Sequence, residues 1–362
     1  MTFTPSPGRT LLLGLIAFTL SSVADAAQYQ AVVSPQAQNN EFATIAAALK
    51  SAPADDTPFT LLLKKGVYHE RLEINRANVT LKGEARDETI ITATTASGML
   101  NPQGKKWGTS GSSTVLVNGK NFTAENLTIR NGFDFPANQA LADGAPGKLK
   151  DTQAVALLLA ENSDRARFKH VKLEGYQDTL YSKTGSRSYF TDCDISGHVD
   201  FIFGSGIMVF DHCKIIARNR GDIAPPYGYL TAPSTKITAP YGLIFLHSQL
   251  LKEPGVPEKS FALGRPWHPT TTFNDGRYAD PDAIGQSVFI DCYMDDHIYG
   301  WDRMSGKDKQ GAEIWFSPQS SRFFEAHSRG PGAAINPDRP QLTDAQLATF
   351  TLPAIFGDWV PN

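Results

Sequence analysis

Asp178, in Gly175-Tyr-Gln-Asp-Thr-Leu-Tyr181, and Asp200, in His198-Val-Asp-Phe-Ile-Phe-Gly204, stand 22 residues apart. Two carboxylates brought close together disfavour joint ionisation, so one holds a proton while the other stays charged. Identical side chains can thereby divide the work of acid and of base or nucleophile. Gln153 lies 24 residues before Gln177, and amide NH₂ groups at such positions can hold an oxyanion. Arg265, in Leu263-Gly-Arg-Pro-Trp267, can grip one aspartate through two donors and keep it ionised. Tyr181, Phe201 and Trp267 offer flat faces of the kind that stack on sugar rings.

Taken singly, each residue has a plainer reading. Aspartate is a common turn residue, Gln177 could be one step of a side-chain ladder, and an exposed arginine pair is worth little. Trp267 could be loop packing. Convergence is what suggests a site, and spacing alone leaves the reaction open between ester and glycoside hydrolysis.

The elements that must position these residues follow from a repeat. A phenylalanine opens similar segments at Phe122, Phe168, Phe190, Phe210, Phe245 and Phe289, at intervals of 46, 22, 20, 35 and 44 residues. The two shortest read as single periods, 46 and 44 as doubles, and 35 as one period with a long loop. Positions three and five after the phenylalanine are mostly small or apolar, which predicts a short inward-facing strand. Repeats of this length built from short strands indicate a solenoid. A leucine-rich repeat lacks its leucine and asparagine pattern here, and a sandwich would not keep one phenylalanine register. The expected fold is all-β: a single-stranded right-handed parallel β-helix with an N-terminal capping helix and a C-terminal helical and loop tail. Asp178 and Asp200, each ten residues after a repeat phenylalanine, should stack on neighbouring coils.

Solenoid ends need covers. Glu41–Lys50 reads as an amphipathic capping helix, Phe59–Leu63 as a strand, and Thr343 as the cap of a short helix from Asp344. No linker divides the chain. Cys193 and Cys213 each follow a repeat phenylalanine by three residues, and the rung spacing suits a disulfide, so a Cys193–Cys213 bond is expected. Two stacked buried thiols are the alternative. Cys292, on a distant coil, is expected to be a free core thiol. His170, His212 and His247 share one repeat position, where a turn or surface role is favoured over metal binding. Asn78, Asn121 and Asn126 fit glycosylation sequons but also suit solenoid turns.

The net charge of -3 gives no reason to expect a nucleic-acid partner. Arg9, the apolar run 11–20 and Ala24-Asp-Ala26 read as a secretory leader, too short to span a membrane. With no cysteine beside the cleavage site, a lipid anchor is not indicated. The domain reading is a leader at 1–26 and one catalytic domain at 27–362, exported to the medium or the periplasm with no membrane attachment. No G-x-S-x-G, H-E-x-x-H or Walker pattern occurs.

On four ordered motifs the chain resembles the pectin methylesterases (pectinesterases), in particular the single-domain form secreted by plant-pathogenic bacteria. The motifs are Gln153-Ala-Val-Ala-Leu, Gly175-Tyr-Gln-Asp-Thr-Leu-Tyr181, Val199-Asp-Phe-Ile-Phe-Gly204 and Leu263-Gly-Arg-Pro-Trp267. The resemblance implies a β-helix that hydrolyses galacturonate C6 methyl esters in homogalacturonan. It gives Asp200 as nucleophile, Asp178 as general acid then base, Gln177 and Gln153 at the oxyanion, and Arg265 as the partner of Asp200. Thr109, Tyr181, Val199, Phe201, Tyr229, Trp267 and Met304 resemble substrate-groove positions. The partner implied is methyl-esterified pectin, met by a monomer, with no metal or organic cofactor. His198 departs from the family's usual threonine and is expected to line the groove. A lyase or polygalacturonase on the same scaffold, and a non-catalytic pectin binder, are the rival readings.

Overall fold

In the computed structural model, which describes residues 1–2, 29–221 and 223–361, short strands recur in a fixed order around a coil. Beyond its first two residues, the leader expected at 1–26 lies outside the described residues. Three parallel sheets of ten, eight and eight strands run the length of the stack. Each strand pairs with its counterpart one coil on. In the first sheet Arg187–Thr191 lies between Ala166–Lys169 and Ile207–Asp211. In the second, Asp194–Gly197 lies between Lys172–Glu174 and Lys214–Ala217. In the third, Val199–Gly204 lies between Leu180–Ser182 and Gly228–Pro233. The architecture is the right-handed parallel β-helix. Among the described residues no helix is long and apolar enough to cross a membrane.

The phenylalanine register is real from Phe168 onward. Phe168, Phe190, Phe210, Phe245 and Phe289 pair in sequence across the first sheet. Their rings stack at centroid spacings of 4.5, 4.8, 4.6 and 4.4 Å, matching the spacing of hydrogen-bonded strands. All five are fully buried, so the ladder is the spine of the core.

Two parts of the repeat reading are corrected. Phe122 is out of register, because Ala124 stands opposite Phe168. No long interval is a double. Thr123–Glu125 pairs directly with Ala166–Lys169, and Leu243–Leu246 directly with Gln286–Ile290. Each long interval is therefore one coil with an excursion. The first holds the helix Phe135–Ala140 and the second the hairpin of Thr270–Phe273 with Gly276–Ala279.

At the N-terminal end the helix is Ile45–Lys50, shorter than expected. Phe42 instead bridges Val33, and Thr44 caps the helix through a bond accepted from Ala47 N–H. The Glu70 carboxylate also accepts from Ile45 and Ala46 N–H, at 2.8 and 2.9 Å, placing an anion at the positive helix terminus. Ile45 and Ala48 close the core there. Phe59–Leu63 is a strand, and Thr343 forms a capping box with Gln346 on Asp344–Leu347. The C-terminal tail runs along a flank: Ile355, Phe356 and Trp359 pack on the outward face of the first sheet, against Val209, Ile244 and Val288.

The expected Cys193–Cys213 bond is not formed; both are buried free thiols, as is Cys292. All three repeat one orientation. Each thiol donates to a carbonyl of the preceding coil, at Phe168, Phe190 and Phe245 respectively. Equal orientations on stacked strands hold sulfurs near rung spacing, well beyond a bond of about 2.05 Å.

Candidate active site

The acids sit where the second sheet hands over to the third. Leu180 pairs with Ile202, so counting back two residues on each strand sets Asp178 opposite Asp200. Asp178 N–H donates to Val199 O at 3.1 Å, locking the two rungs beside the acids. Both aspartates adopt left-handed backbone, with φ of 65° and 50°. Aspartate tolerates that region better than most residues, and the sheet on either side enforces it. Both are buried, at 7% and 8% exposure.

Arg265 continues the strand Phe261–Gly264, its N–H bonded to Thr231 O. Its Nε and Nη2 donate to the two oxygens of Asp200 at 2.8 and 2.6 Å. The guanidinium lies 3.8 Å from the centre of the Tyr229 ring. Burial works against its charge, yet the Asp200 carboxylate outweighs that and holds the Arg265 pKa above its ordinary value. Asp178 has no such partner. Burial above all, then the charge of Asp200, pushes its pKa well above the usual carboxylate range; Arg265 and a hydrogen bond from Gln177 only partly oppose this. The two identical side chains are thus separated by surroundings: one is ion-paired, the other favours its proton.

Gln177 is oriented by Thr152, whose hydroxyl donates to Gln177 Oε1 at 2.8 Å. That leaves the NH₂ end as the donor facing the acids. Gln153 lines the same cleft, and its buried Oε1 has no hydrogen-bond partner among the described residues. Thr152 is not singled out by the sequence, although it adjoins Gln153.

These groups open into a cleft of about 560 Å³. Thr109, Tyr181, Trp267 and Met304 line it, joined by Trp107 and Phe203. Tyr181 stacks on Phe203 at 4.3 Å, and Trp267 meets both edge-on. Burial, then Asp178, raises the Tyr181 pKa to about 12. Val199 and Tyr229 do not line the cleft; Tyr229 supports Arg265 from beneath.

Phe201 is corrected. A bulge between Val199 and Ile202 breaks strand alternation, so Phe201 and Ile202 both turn into the core. Phe201 then lies against Gly197, where an added Cβ would come within 2.3 Å of the Phe201 Cβ. Phe203 is the ring that reaches the cleft. His198 is also corrected. It is fully buried, 4.3 Å from the Phe135 ring and 5.4 Å from Tyr176, and neither ring nitrogen has a hydrogen-bond partner among the described residues. Burial, with Arg220 and Arg218 adding to it, drives its pKa well below the ordinary value.

An open cleft holds an arginine-gripped carboxylate, a second acid that favours its proton and an oriented amide, on a parallel β-helix. Residues 30–275 match the Pectinesterase family model, and the chain belongs to that family. It is 56% identical over 358 residues to Pectinesterase A of Dickeya chrysanthemi, covering 98% of each chain. A pectin methylesterase from Yersinia enterocolitica is 77% identical, with a TM-score of 0.88 over 88% of this chain and all of that one. A pectin methylesterase solved in complex with a hexasaccharide is 57% identical, with a TM-score of 0.91 over 92% of this chain and 98% of that one. The chain is accordingly a pectinesterase, a carboxylic ester hydrolase.

Proposed function

We propose that the chain removes methyl groups from the C6 esters of galacturonate in homogalacturonan through Asp200 as nucleophile and Asp178 as proton carrier. The observation that carries this reading is the asymmetry of the acid pair: Arg265 grips Asp200 through both oxygens, while Asp178 is buried without a cation of its own. An Asp200 oxygen attacks the ester carbonyl carbon, and the carbonyl π pair moves onto oxygen. The Gln177 NH₂, with Gln153 beside it, donates to that oxyanion. Collapse re-forms the carbonyl and breaks the bond to methoxide, which takes the Asp178 proton and leaves as methanol. Water then attacks the acyl–Asp200 anhydride while the Asp178 carboxylate accepts its proton. Asp200 departs as carboxylate, and the sugar keeps a free acid.

Tyr181, Phe203 and Trp267 present rings along the cleft for a polysaccharide, and the hexasaccharide bound by the relative supports a chain-shaped substrate. The leader read at 1–26 supports export, to the medium or the periplasm, of a monomer beginning near Ala27. N-terminal sequencing of exported protein checks that start.

The decisive measurement is methanol release from highly methylated pectin by wild type, Asp178→Ala and Asp200→Ala. Methanol with intact chain length is the expected product, and both variants lose activity by several orders of magnitude. Undiminished release by Asp200→Ala would sink the mechanism. Chain cleavage without methanol would point to a lyase or polygalacturonase, and binding without either product to a non-catalytic relative.

A further inference from the structure

We infer that Asp211, His212 and His247 form a binding site for a divalent transition metal ion, on a different corner of the coil from the acid pair and outside the cleft. Asp211 ends a strand of the first sheet, and His212 occupies the turn leading to the second; Asp178 and Asp200 occupy the next corner round. Asp211 pairs with Leu246, so His212 and His247 are equivalent residues on adjacent coils. Both hold left-handed backbone, with φ of 54° and 49°. Beneath them Phe210 and Phe245 stack at 4.6 Å, so the core fixes the spacing of the two imidazoles.

The donors converge. His212 Nδ1 and His247 Nδ1 lie 2.8 and 2.9 Å from the same oxygen, Asp211 Oδ1, and the donor atoms all fall within 4.8 Å of one another. The other carboxylate oxygen accepts from the Tyr189 hydroxyl at 2.9 Å, an outer contact of the kind that aims a metal ligand. Ligands around a tetrahedral ion with bonds near 2 Å stand roughly 3.3 Å apart. A small outward movement of the rings meets that, and both imidazoles are at least half exposed. Three protein donors leave a position for water.

The donor set selects the ion. Two imidazoles and one carboxylate suit Zn²⁺, Ni²⁺ or Cu²⁺, whereas Ca²⁺ and Mg²⁺ prefer an all-oxygen shell. Asp192 and Asp291 flank the histidines in the same column, adding negative charge around the ion. His170, the other histidine of that column singled out in the sequence, bonds Asn126 instead. Among the described residues the remaining comparable group, Asp295, Asp296 and His297, buries its imidazole and pairs Asp296 with Lys252. It is the weaker candidate.

Calorimetric titration of chelator-stripped protein with Zn²⁺ tests the site. Wild type takes up one equivalent, and His212→Asn and His247→Asn each bind at least tenfold more weakly. Asparagine suits the left-handed turn, as Asn126 shows in the same column, so both variants keep their fold. Asp211→Asn provides a third arm, removing charge while leaving both histidines. Methanol release stays at the wild-type level in all three variants, because the site lies outside the cleft. Absence of saturable uptake by wild type overturns the inference, as does uptake unchanged in the His212→Asn/His247→Asn double variant. A Ca²⁺ titration as strong as that with Zn²⁺ overturns the choice of ion.

Discussion

Arg265 meets Asp200 through two parallel hydrogen bonds, Nε to Oδ1 at 2.8 Å and Nη2 to Oδ2 at 2.6 Å. A fork of this kind fixes the plane of the carboxylate as well as its charge. Lysine at 265 keeps the charge but offers one point contact. Arg265→Lys is expected to lose one charged hydrogen bond, about 1.5–3 kcal/mol, which is roughly ten- to a hundredfold in kcat. Steady-state methanol release checks it; unchanged kcat would show that the fork's geometry is idle.

Asp178 makes a prediction about stability. Its folded pKa is raised well above the ordinary 3.8, so the folded protein binds this proton more tightly than the unfolded chain does. The proton's contribution to stability is complete below that ordinary value and is lost as pH rises through the folded pKa. An amide in its place carries no charge to bury at any pH. Asp178→Asn is therefore expected to gain stability over wild type as pH rises from about 4 towards neutrality, about 1.4 kcal/mol for each tenfold displacement of the equilibrium. The same variant loses activity by roughly 10²–10⁴-fold, the worth of a positioned proton carrier. Urea midpoints of both proteins across that range test the sign.

Thr152 touches no substrate in the proposed mechanism, but it sets which end of the Gln177 amide faces the acids. Thr152→Val keeps the shape and removes the donor. The expected effect is about 1 kcal/mol, a roughly fivefold fall in kcat with KM little changed. Gln177→Ala should fall much further, by about 10²–10³-fold. Equal losses in the two variants would show that Thr152 does more than orient the amide.

Phe201 and Phe203 should part company. Phe203→Leu keeps an apolar side chain but loses the flat face stacked on Tyr181, so KM rises several-fold while stability falls less than in Phe201→Ala. Phe201→Ala opens a hole in the core and costs about 3–5 kcal/mol of stability. Kinetics of the two variants beside their urea midpoints separate these roles. A rise in KM without destabilisation in Phe201→Ala would return that ring to the cleft.

The site is legible in the sequence wherever chemistry and rung period coincide. Asp178, Asp200, Gln177 and Arg265 are polar groups whose convergence the sequence suggests, their separate roles being only what the resemblance implies, and the acid pair's opposition follows from 22 residues being one coil. Phe201 departs from expectation because period-two alternation cannot foresee the bulge that turns it inward. His198 departs for a related reason: adjacency to Asp200 does not show that Phe135, from a distant excursion, closes over it. Long intervals read as double coils because a repeat pattern cannot tell an inserted loop from a degenerate rung. Thr152 carries no periodic or charge signal, and only the coordinates show what its hydroxyl orients.

The direct pairing of Leu243–Leu246 with Gln286–Ile290, whose phenylalanines stand 44 residues apart, shows that loop length and pitch are uncoupled. Backbone hydrogen bonds and the ring ladder set the pitch, and the excursions return to it whatever their size. The spacing of Asp178 and Asp200 is thus set by the rungs and not by the excursions. Changes in length at the tip of the hairpin Thr270–Phe273/Gly276–Ala279 are therefore expected to leave the rung spacing at Asp178 and Asp200 unchanged. Excursion length and rung spacing are, in this scaffold, separately adjustable.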